Sequence, residues 1–373
     1  MARILIIGSY ADSLVRFRQA LILDLVEAGH SVVVAAPDAV AVLRHVFWRD
    51  RIEVHDISMR RTGLNPFADF SVYMAMRNLI DEVRPDAILA YTIKPILYAG
   101  LAVRARPGIK FYPILTGLGF VFQSQRLKAQ LIRAVIAPFY RRALRRADLL
   151  FFQNFDNLEA LRRGKYFGAS QPTRVVAGSG VDLGYYAPAD LPAAPSVLMI
   201  ARLLKDKGVM EYAQAAELVR AGRPDVEFRL VGWFDEGNPQ SIDRRALENW
   251  QRAGTIIWLG PADDVRPALA ECSLYVLPSY HEGMPRTVLE AMATGRPIVT
   301  TDVPGCRETI EPGGNGVLVP PRDPSTLARA ILAIIEDPNL ARAMAARSLE
   351  LARERFDVHL VNKHMLDAMQ LSP

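Results

Sequence analysis

A chain of 373 residues, half of them apolar and 23% charged, is too long for one ordinary hydrophobic core and too apolar to stay disordered, so two folded domains are expected. No run approaches the ~20 apolar residues of a membrane span, and two cysteines, Cys272 and Cys306, are too few for a disulfide framework. The net charge of +5 is unevenly placed: residues 1–190 hold 25 Lys and Arg against 16 Asp and Glu, and the remainder 20 against 24.

The chain opens without the flank and apolar stretch of a signal peptide. Arg3 leads at once into ILII and Gly8, and with the sparse cysteines this points to a cytosolic compartment. Short apolar runs at 3–7, 31–36, 86–92, 110–116, 148–154 and 173–178 suit parallel strands. Helical stretches such as SLVRFRQALILDLVEAG, closed by Gly29, lie between them. Residues 180–195, rich in Pro, Ala and Tyr, read as a linker. The alternation then resumes with runs at 196–201, 226–232, 255–260, 273–279, 297–302 and 316–320, and the tail is helical from Pro324 to near Gln370. Such alternation predicts α/β architecture with doubly wound sheets, whose ligand contacts sit in loops at the C-terminal ends of the strands.

Residues 279–308, SYHEGMPRTVLEAMATGRPIVTTDVPGCRE, concentrate the chemistry. Glu282 lies in a Gly/Pro-rich loop, and Glu290 lies eight positions later on the helix TVLEAMA. Pro285 suits the first turn of that helix, and Gly295-Arg296-Pro297 stops it. Free N–H groups of a helix N-terminus bind an anion, most often phosphate, and a carboxylate beside it can hold sugar hydroxyls. The pattern describes a sugar-nucleotide site. Arg202 and Lys207 in ARLLKDKGV follow a strand and precede Gly208 at a helix start, which suits a diphosphate. The plainer readings are a solvated loop with two surface cations, and an i,i+4 surface pair of Glu290 with Arg286.

The 279–308 stretch resembles the E-x7-E segment of family 4 glycosyltransferases, retaining enzymes of the GT-B fold. The likeness spans nearly the whole chain. RRTGLNP (60–66), TIKP (92–95), TGLGFVFQ (116–123) and GSGVD (178–182) are similar to the branch that builds capsule, O-antigen and lipid-linked glycans, including those of bacterial protein N-glycosylation. The resemblance implies two Rossmann-like domains with a cleft between them. An acceptor-binding domain would span 1–187, a nucleotide-sugar domain 188–355, and a last helix within 356–373 would cross back to the first domain.

It also implies roles. Arg202 and Lys207 hold the donor diphosphate, Glu290 the ribose, and Glu282 faces the transferred sugar and leaving phosphate. Backbone amides of Met284, Thr287 and Val288 complete those contacts, with Val231, Gly232, Gly260 and Pro261 near the base. Gly8, Ser9, Lys94, Thr116 and Gly117 face the acceptor, with Lys94 on its pyrophosphate. Many members carry a His near the reacting sugar where this chain has Thr116, so no catalytic histidine is expected there; Thr116 and the Gly117–Gly119 backbone shape the pocket. The implied reaction moves a hexose or N-acetylhexosamine from a nucleotide sugar, a UDP sugar foremost, to a lipid-diphosphate-linked saccharide. No cofactor beyond that co-substrate is expected, and no metal, because no two Asp are separated by one residue as in the Asp-x-Asp of the other nucleotide-sugar fold.

Three other readings stay open to different degrees. They are a sugar-nucleotide 2-epimerase, a non-catalytic sugar-nucleotide-binding partner in an assembly complex, and a nicotinamide dehydrogenase. The last is disfavoured because Gly8-Ser9-Tyr10 lacks the GxGxxG pattern. Basic residues are densest over 104–174, with 14 against 3 acidic. Within 123–146 lie Arg126, Lys128, Arg133, Arg141, Arg142, Arg145 and Arg146, mixed with apolar residues. Such a segment can lie on anionic lipid; it also fits a core-packed helix with a solvated basic face. The lipid-linked acceptor favours membrane contact, and hence an enzyme peripheral on the inner face of the cell membrane. Nucleic acid is not expected, since no aromatic residues interleave as a stacking platform.

Overall fold

A computed structural model of the chain describes residues 1–47, 52–59, 66–117 and 127–372. It divides into two compact units, one of Met1–Ser179 with Val358–Pro373 and one of Gly180–Asp357. The division falls ahead of the Pro-rich part of the linker, so that residues 180–195 belong to the second unit.

The first unit is built on seven parallel strands: β1 (Arg3–Ile7), β2 (Ser31–Ala36), β3 (Glu53–Asp56), β4 (Ala87–Tyr91), β5 (Lys110–Leu115), β6 (Leu150–Phe152) and β7 (Thr173–Val175). Their order is β3-β2-β1-β4-β5-β6-β7, so the winding reverses between β1 and β4. The central strands are near-continuous apolar runs because helices cover both faces. Leu5, Ile7, Val33 and Ile88 point into one core, and Ile4, Ile6, Val34 and Leu89 into the other. β3 was not expected from the sequence. Its residues EVHD hold one apolar side chain in four, which an edge strand tolerates because its outer side needs no core.

The second unit repeats the plan with β8 (Ser196–Ile200), β9 (Glu227–Val231), β10 (Ile257–Gly260), β11 (Leu274–Leu277), β12 (Ile298–Thr301) and β13 (Gly316–Val319). The order is β10-β9-β8-β11-β12-β13, again parallel throughout, with the reversal between β8 and β11. Both sheets are therefore Rossmann-like. Two runs, 3–7 and 31–36, match β1 and β2 residue for residue, and most of the others extend one to three residues beyond the strand they announce.

The tail forms three α-helices, with one π-helical turn, Ala352–Phe356, ahead of the last. Pro324–Ile335 and Pro338–Leu351 each begin with proline behind a capping aspartate: Asp323 accepts from the Thr326 amide at 2.9 Å, and Asp337 from Leu340 at 3.0 Å. The last helix, Val358–Met369, belongs to the first unit. Val361, Met365, Leu366 and Met369 enter the core that Ile4, Ile6 and the helix Asp12–Glu27 line. Asp24 accepts from Asn362 Nδ2 at 2.7 Å, and Tyr112 donates its hydroxyl to the Met369 carbonyl at 3.3 Å. Met365 is fully buried, so Met365→Ala should lower stability by about 2–5 kcal/mol. Urea unfolding followed by circular dichroism reads this, and an unmoved midpoint would show that the helix adds nothing to that core.

Candidate functional site

In an open parallel sheet the ligand crevice lies at the C-terminal ends of the strands, where the order reverses. In the second unit those ends are the exits of β8 and β11. Beyond Ile200 the chain runs through Arg202 and the short turn Lys205–Lys207 to Gly208, which opens the helix Val209–Gly222. Gly208 has φ +76°, and a Cβ there would sit 2.1 Å from the Pro278 carbonyl oxygen. Only glycine lets this turn lie against the exit of β11. Gly305, at φ +85°, closes the other side: a Cβ would come within 2.5 Å of the Glu282 carbonyl oxygen. The loop carrying Glu282 is thus gripped between two glycines.

The grip brings charge together. Lys207 Nζ donates to Glu282 Oε1 at 2.5 Å, and Ser279 Oγ donates to the same oxygen at 2.8 Å. Arg202 Nη1 meets Asp235 Oδ2 at 2.7 Å, and Asn238 Nδ2 donates to that oxygen at 2.9 Å. Both cations are ion-paired and only partly exposed. Asp235 gave no signal in the sequence, because only folding places the loop after β9 beside Arg202.

The helix Arg286–Ala293 begins one residue later than expected, with Pro285 outside it in extended conformation. Val288 N–H donates to the Pro285 carbonyl at 3.1 Å, so of the amides expected to be free this one is satisfied within the helix end. Thr287 Oγ1 accepts from the buried Tyr275 hydroxyl at 2.6 Å, which ties the first turn to β11. Glu290, one turn on, is 6% exposed and accepts from Arg286 Nε at 2.9 Å. The i,i+4 pair does form, but with a buried carboxylate rather than on a solvated surface. Burial raises the Glu290 carboxyl above its ordinary value, against the pull of Arg286 and a hydrogen bond from Tyr186.

The flanking positions are mostly structural. Gly232 must be glycine, since a Cβ would lie 1.9 Å from the Ala201 carbonyl oxygen. Its N–H donates to Gly260 at 2.9 Å, and its carbonyl accepts from Trp258 Nε1 at 3.0 Å. Gly260 has φ +78° and open space around it, and Pro261 beside it is exposed. Cys272 and Cys306 are buried thiols pushed up to about 12 by burial, which makes them inert packing groups.

In the first unit, Gly8, Lys94 and Thr116 follow β1, β4 and β5, three neighbouring strands at the reversal. A Cβ on Gly8 would strike the Tyr91 hydroxyl at 2.4 Å, and that hydroxyl meets Ser13 Oγ at 2.7 Å. Ser9 is buried. Lys94 Nζ pairs with Asp69 Oδ1 at 3.1 Å and is only partly exposed. Gly117 follows Thr116 at the β5 exit. Residues 60–65 of the RRTGLNP segment, and 118–123 of TGLGFVFQ with Gly119, lie outside the described residues.

Because burial raises the Glu290 carboxyl in the folded state, its contribution to stability is fully present below the unfolded value and is lost as pH rises from there through the folded value. Glu290→Gln should therefore gain on the natural protein, by a few degrees of melting temperature at neutral pH, with the gain narrowing toward pH 4. Paired thermal scans in the two conditions check this, and a gain that widens in acid would reverse the assignment.

Two family models match the chain: glycosyl transferase 4-like over residues 3–154, and glycosyl transferases group 1 over residues 194–337. A Campylobacter jejuni protein, N,N'-diacetylbacillosaminyl-diphospho-undecaprenol alpha-1,3-N-acetylgalactosaminyltransferase, is 27% identical over 369 residues, 95% of this chain and 94% of that one. The putative colanic acid biosynthesis glycosyltransferase WcaL of Escherichia coli is 27% identical over 62% of this chain and 59% of its own. Among solved structures, sucrose-phosphate synthase from Thermosynechococcus elongatus aligns with a TM-score of 0.80 at 22% identity, covering 99% of this chain and 98% of that one. Anabaena HepE in complex with UDP and glucose aligns at 0.79 and 20% identity, covering 99% and 100%. These structures share the fold, two Rossmann-like domains of the GT-B kind. With a glycosyl transferase 4-like domain in its first half and a glycosyl transferases group 1 domain in its second, the chain is a glycosyltransferase.

Proposed function

We propose that the chain is a retaining, metal-independent transferase moving a hexose or N-acetylhexosamine from a UDP sugar to a lipid-diphosphate-linked saccharide in bacterial glycan assembly. The observation that carries this reading is the Lys207–Glu282 pair and the start of the helix Arg286–Ala293 beyond the exit of β11, with Arg202 at the exit of β8, its neighbour at the reversal of strand order. A full-length relative named for transfer to a diphospho-undecaprenol saccharide supports the acceptor class, and the UDP complex of a protein of the same fold supports the donor.

In this reading the donor diphosphate lies against Arg202, Lys207 and the amides of Met284 and Thr287, with Gly260 and Pro261 near the base. Arg202 and Lys207 are held in place by Asp235 and Glu282, so positive charge stands ready where the leaving group gains negative charge. The acceptor hydroxyl bonds to the anomeric carbon on the face from which the diphosphate departs. Its proton passes to a phosphate oxygen of the leaving group. Glu282 orients the sugar and makes no bond to it, while Glu290 takes the ribose hydroxyls. Gly8, Ser9, Lys94, Thr116 and Gly117 form the acceptor side, Lys94 facing its diphosphate.

Among the described residues no helix is long and apolar enough to cross a membrane. Adsorption from the inner face of the cell membrane is the proposed way to meet a lipid-linked acceptor. The helix Leu127–Leu144 supports it: Leu131, Val135 and Phe139, spaced by four, are 70%, 66% and 53% exposed. Exposed Arg142 and Arg145 follow. Not every basic residue of the segment is available, since Arg141 donates to the Gly164 carbonyl and Arg146 to Ile109 and Asp148. Arg126 and Lys128 are not among the described side chains.

Arg202→Ala and Lys207→Ala should each lower kcat/KM by on the order of 100-fold or more with the circular dichroism spectrum kept. Radiolabelled transfer to a lipid-linked saccharide measures it, and wild-type turnover in both variants rejects the donor site. For the membrane, Leu131→Ser with Phe139→Ser should weaken sedimentation with phosphatidylglycerol vesicles by about tenfold. Undiminished sedimentation removes the helix from the docking face.

A further inference from the structure

Tyr280 follows the exit of β11 and holds the facing loop at two points. Its N–H donates to the Asp206 carbonyl at 2.9 Å, and its hydroxyl donates to Glu211 Oε1 at 2.6 Å. Asp206 lies in the turn Lys205–Lys207, and Glu211 in the first turn of the helix that Gly208 opens. Lys207 therefore stands, along the chain, between the two points that one tyrosine grips. The ring is held as well: the guanidinium of Arg322, from the loop after β13, lies over it at 4.5 Å. Arg322 has φ +62°, a conformation that glycine adopts more easily. Glu211 Oε2 is buried and has no hydrogen-bond partner among the described residues, a state that costs free energy. An apolar side chain would fill the same space without that cost, so packing alone does not account for the acid. Burial, with the bond to Glu211, pushes the Tyr280 hydroxyl up to about 12, so it stays a donor across the neutral range.

We propose that Tyr280 and Glu211 are positioning residues for Lys207, and that through it they set a preference for a nucleoside diphosphate over a monophosphate. Glu282, two residues after Tyr280, accepts from Lys207 Nζ at 2.5 Å. Turn and loop are thus joined twice around Lys207, once by its own ion pair and once by the tyrosine. An ammonium on a flexible four-carbon stem has no direction of its own. Its place depends on the spacing between the backbone that carries it and the carboxylate it faces. Tyr280 fixes that spacing, because one residue is bonded to the chain on either side of Lys207 and lies two positions from Glu282. Without the hydroxyl, the helix start keeps its close approach to the Pro278 carbonyl at Gly208 but loses its side-chain tie to the loop. The ammonium is then free to turn toward solvent. Glu282 faces the transferred sugar, so Lys207 beside it meets the phosphate that bears the sugar, and UMP lacks that phosphate. This inference rests on the assignment of Lys207 to the donor diphosphate under Proposed function.

The test uses the full chain and calorimetry with two probes, UDP and UMP, on the natural protein, Lys207→Ala, Tyr280→Phe, Glu211→Leu and Glu211→Gln. The natural protein should bind UDP more tightly than UMP, and Lys207→Ala should lose that preference. Tyr280→Phe and Glu211→Leu should each weaken UDP about fivefold and leave UMP unchanged, which also shows that the variants are folded. Glu211→Gln, whose amide oxygen still accepts from the hydroxyl, should keep UDP affinity within about twofold. Tyr280→Phe added to Lys207→Ala should weaken UDP no further, since the tyrosine acts through the lysine. A natural preference for UDP in Tyr280→Phe overturns the positioning role while the donor assignment stands. Equal weakening of both nucleotides overturns it too, because the pair then serves only the fold. A further loss in the double variant, or a Glu211→Gln as weak as Glu211→Leu, does the same. A preference retained in Lys207→Ala, or a natural protein that does not bind UDP, overturns the donor assignment itself, and the positioning role falls with it.

Discussion

The close approach of backbone to backbone at two glycines is the constraint on which the second unit's site depends. Gly208 passes the Pro278 carbonyl, and Gly305 passes that of Glu282, at distances no Cβ could share. Everything charged at the β11 exit inherits its place from that grip. A loop free to move would trade the Lys207–Glu282 contact for water, and a flexible ammonium in water is worth little. Held as it is, the pair sits partly out of solvent at the one point of the sheet where the winding reverses.

Charge at this site is paired before it is used. Arg202 has Asp235 and Lys207 has Glu282, while Glu290 has Arg286 and Tyr186. Such pairing keeps long side chains in defined positions and limits the desolvation that an isolated buried charge would suffer. It also separates two kinds of acid. Glu282 stands on a loop beside cations, whereas Glu290 is enclosed on a helix and its carboxyl is raised by burial. Two carboxylates eight residues apart in one segment thereby acquire different electrostatic settings.

The two sheets obey the same geometric rule with different contents. At the reversal of the first sheet the exits of β1, β4 and β5 carry Gly8, Lys94 and Thr116, with the Ser13–Tyr91 hydroxyl contact and the Lys94–Asp69 ion pair beside them. Its last structural part comes from the far end of the chain, where Val361 and Met365 complete a core begun by Ile4 and Ile6. The first unit therefore cannot be cut out of the sequence as one continuous piece.

Local pattern was enough for much of this. Apolar runs such as SVVVAA and RILII became strands because a residue buried on both faces of a parallel sheet must be apolar whatever its neighbours. The two loop-to-helix junctions, at Gly208 and at Pro285, were legible for a similar reason, since such a junction is built from consecutive residues. What the sequence left undecided were relations across distance. β3 is a strand only because β2 offers it a free edge. Asp235 faces Arg202, and Tyr186 faces Glu290 across 104 positions of chain, through folding that no periodicity records. The Glu290–Arg286 pair forms on one helix as spacing predicts, yet whether it is a surface ornament or an enclosed charge depends on what packs over it. Composition and spacing determine which groups are available and which way each element turns; burial, and with it the strength of every charge, is decided only when separate elements close around them.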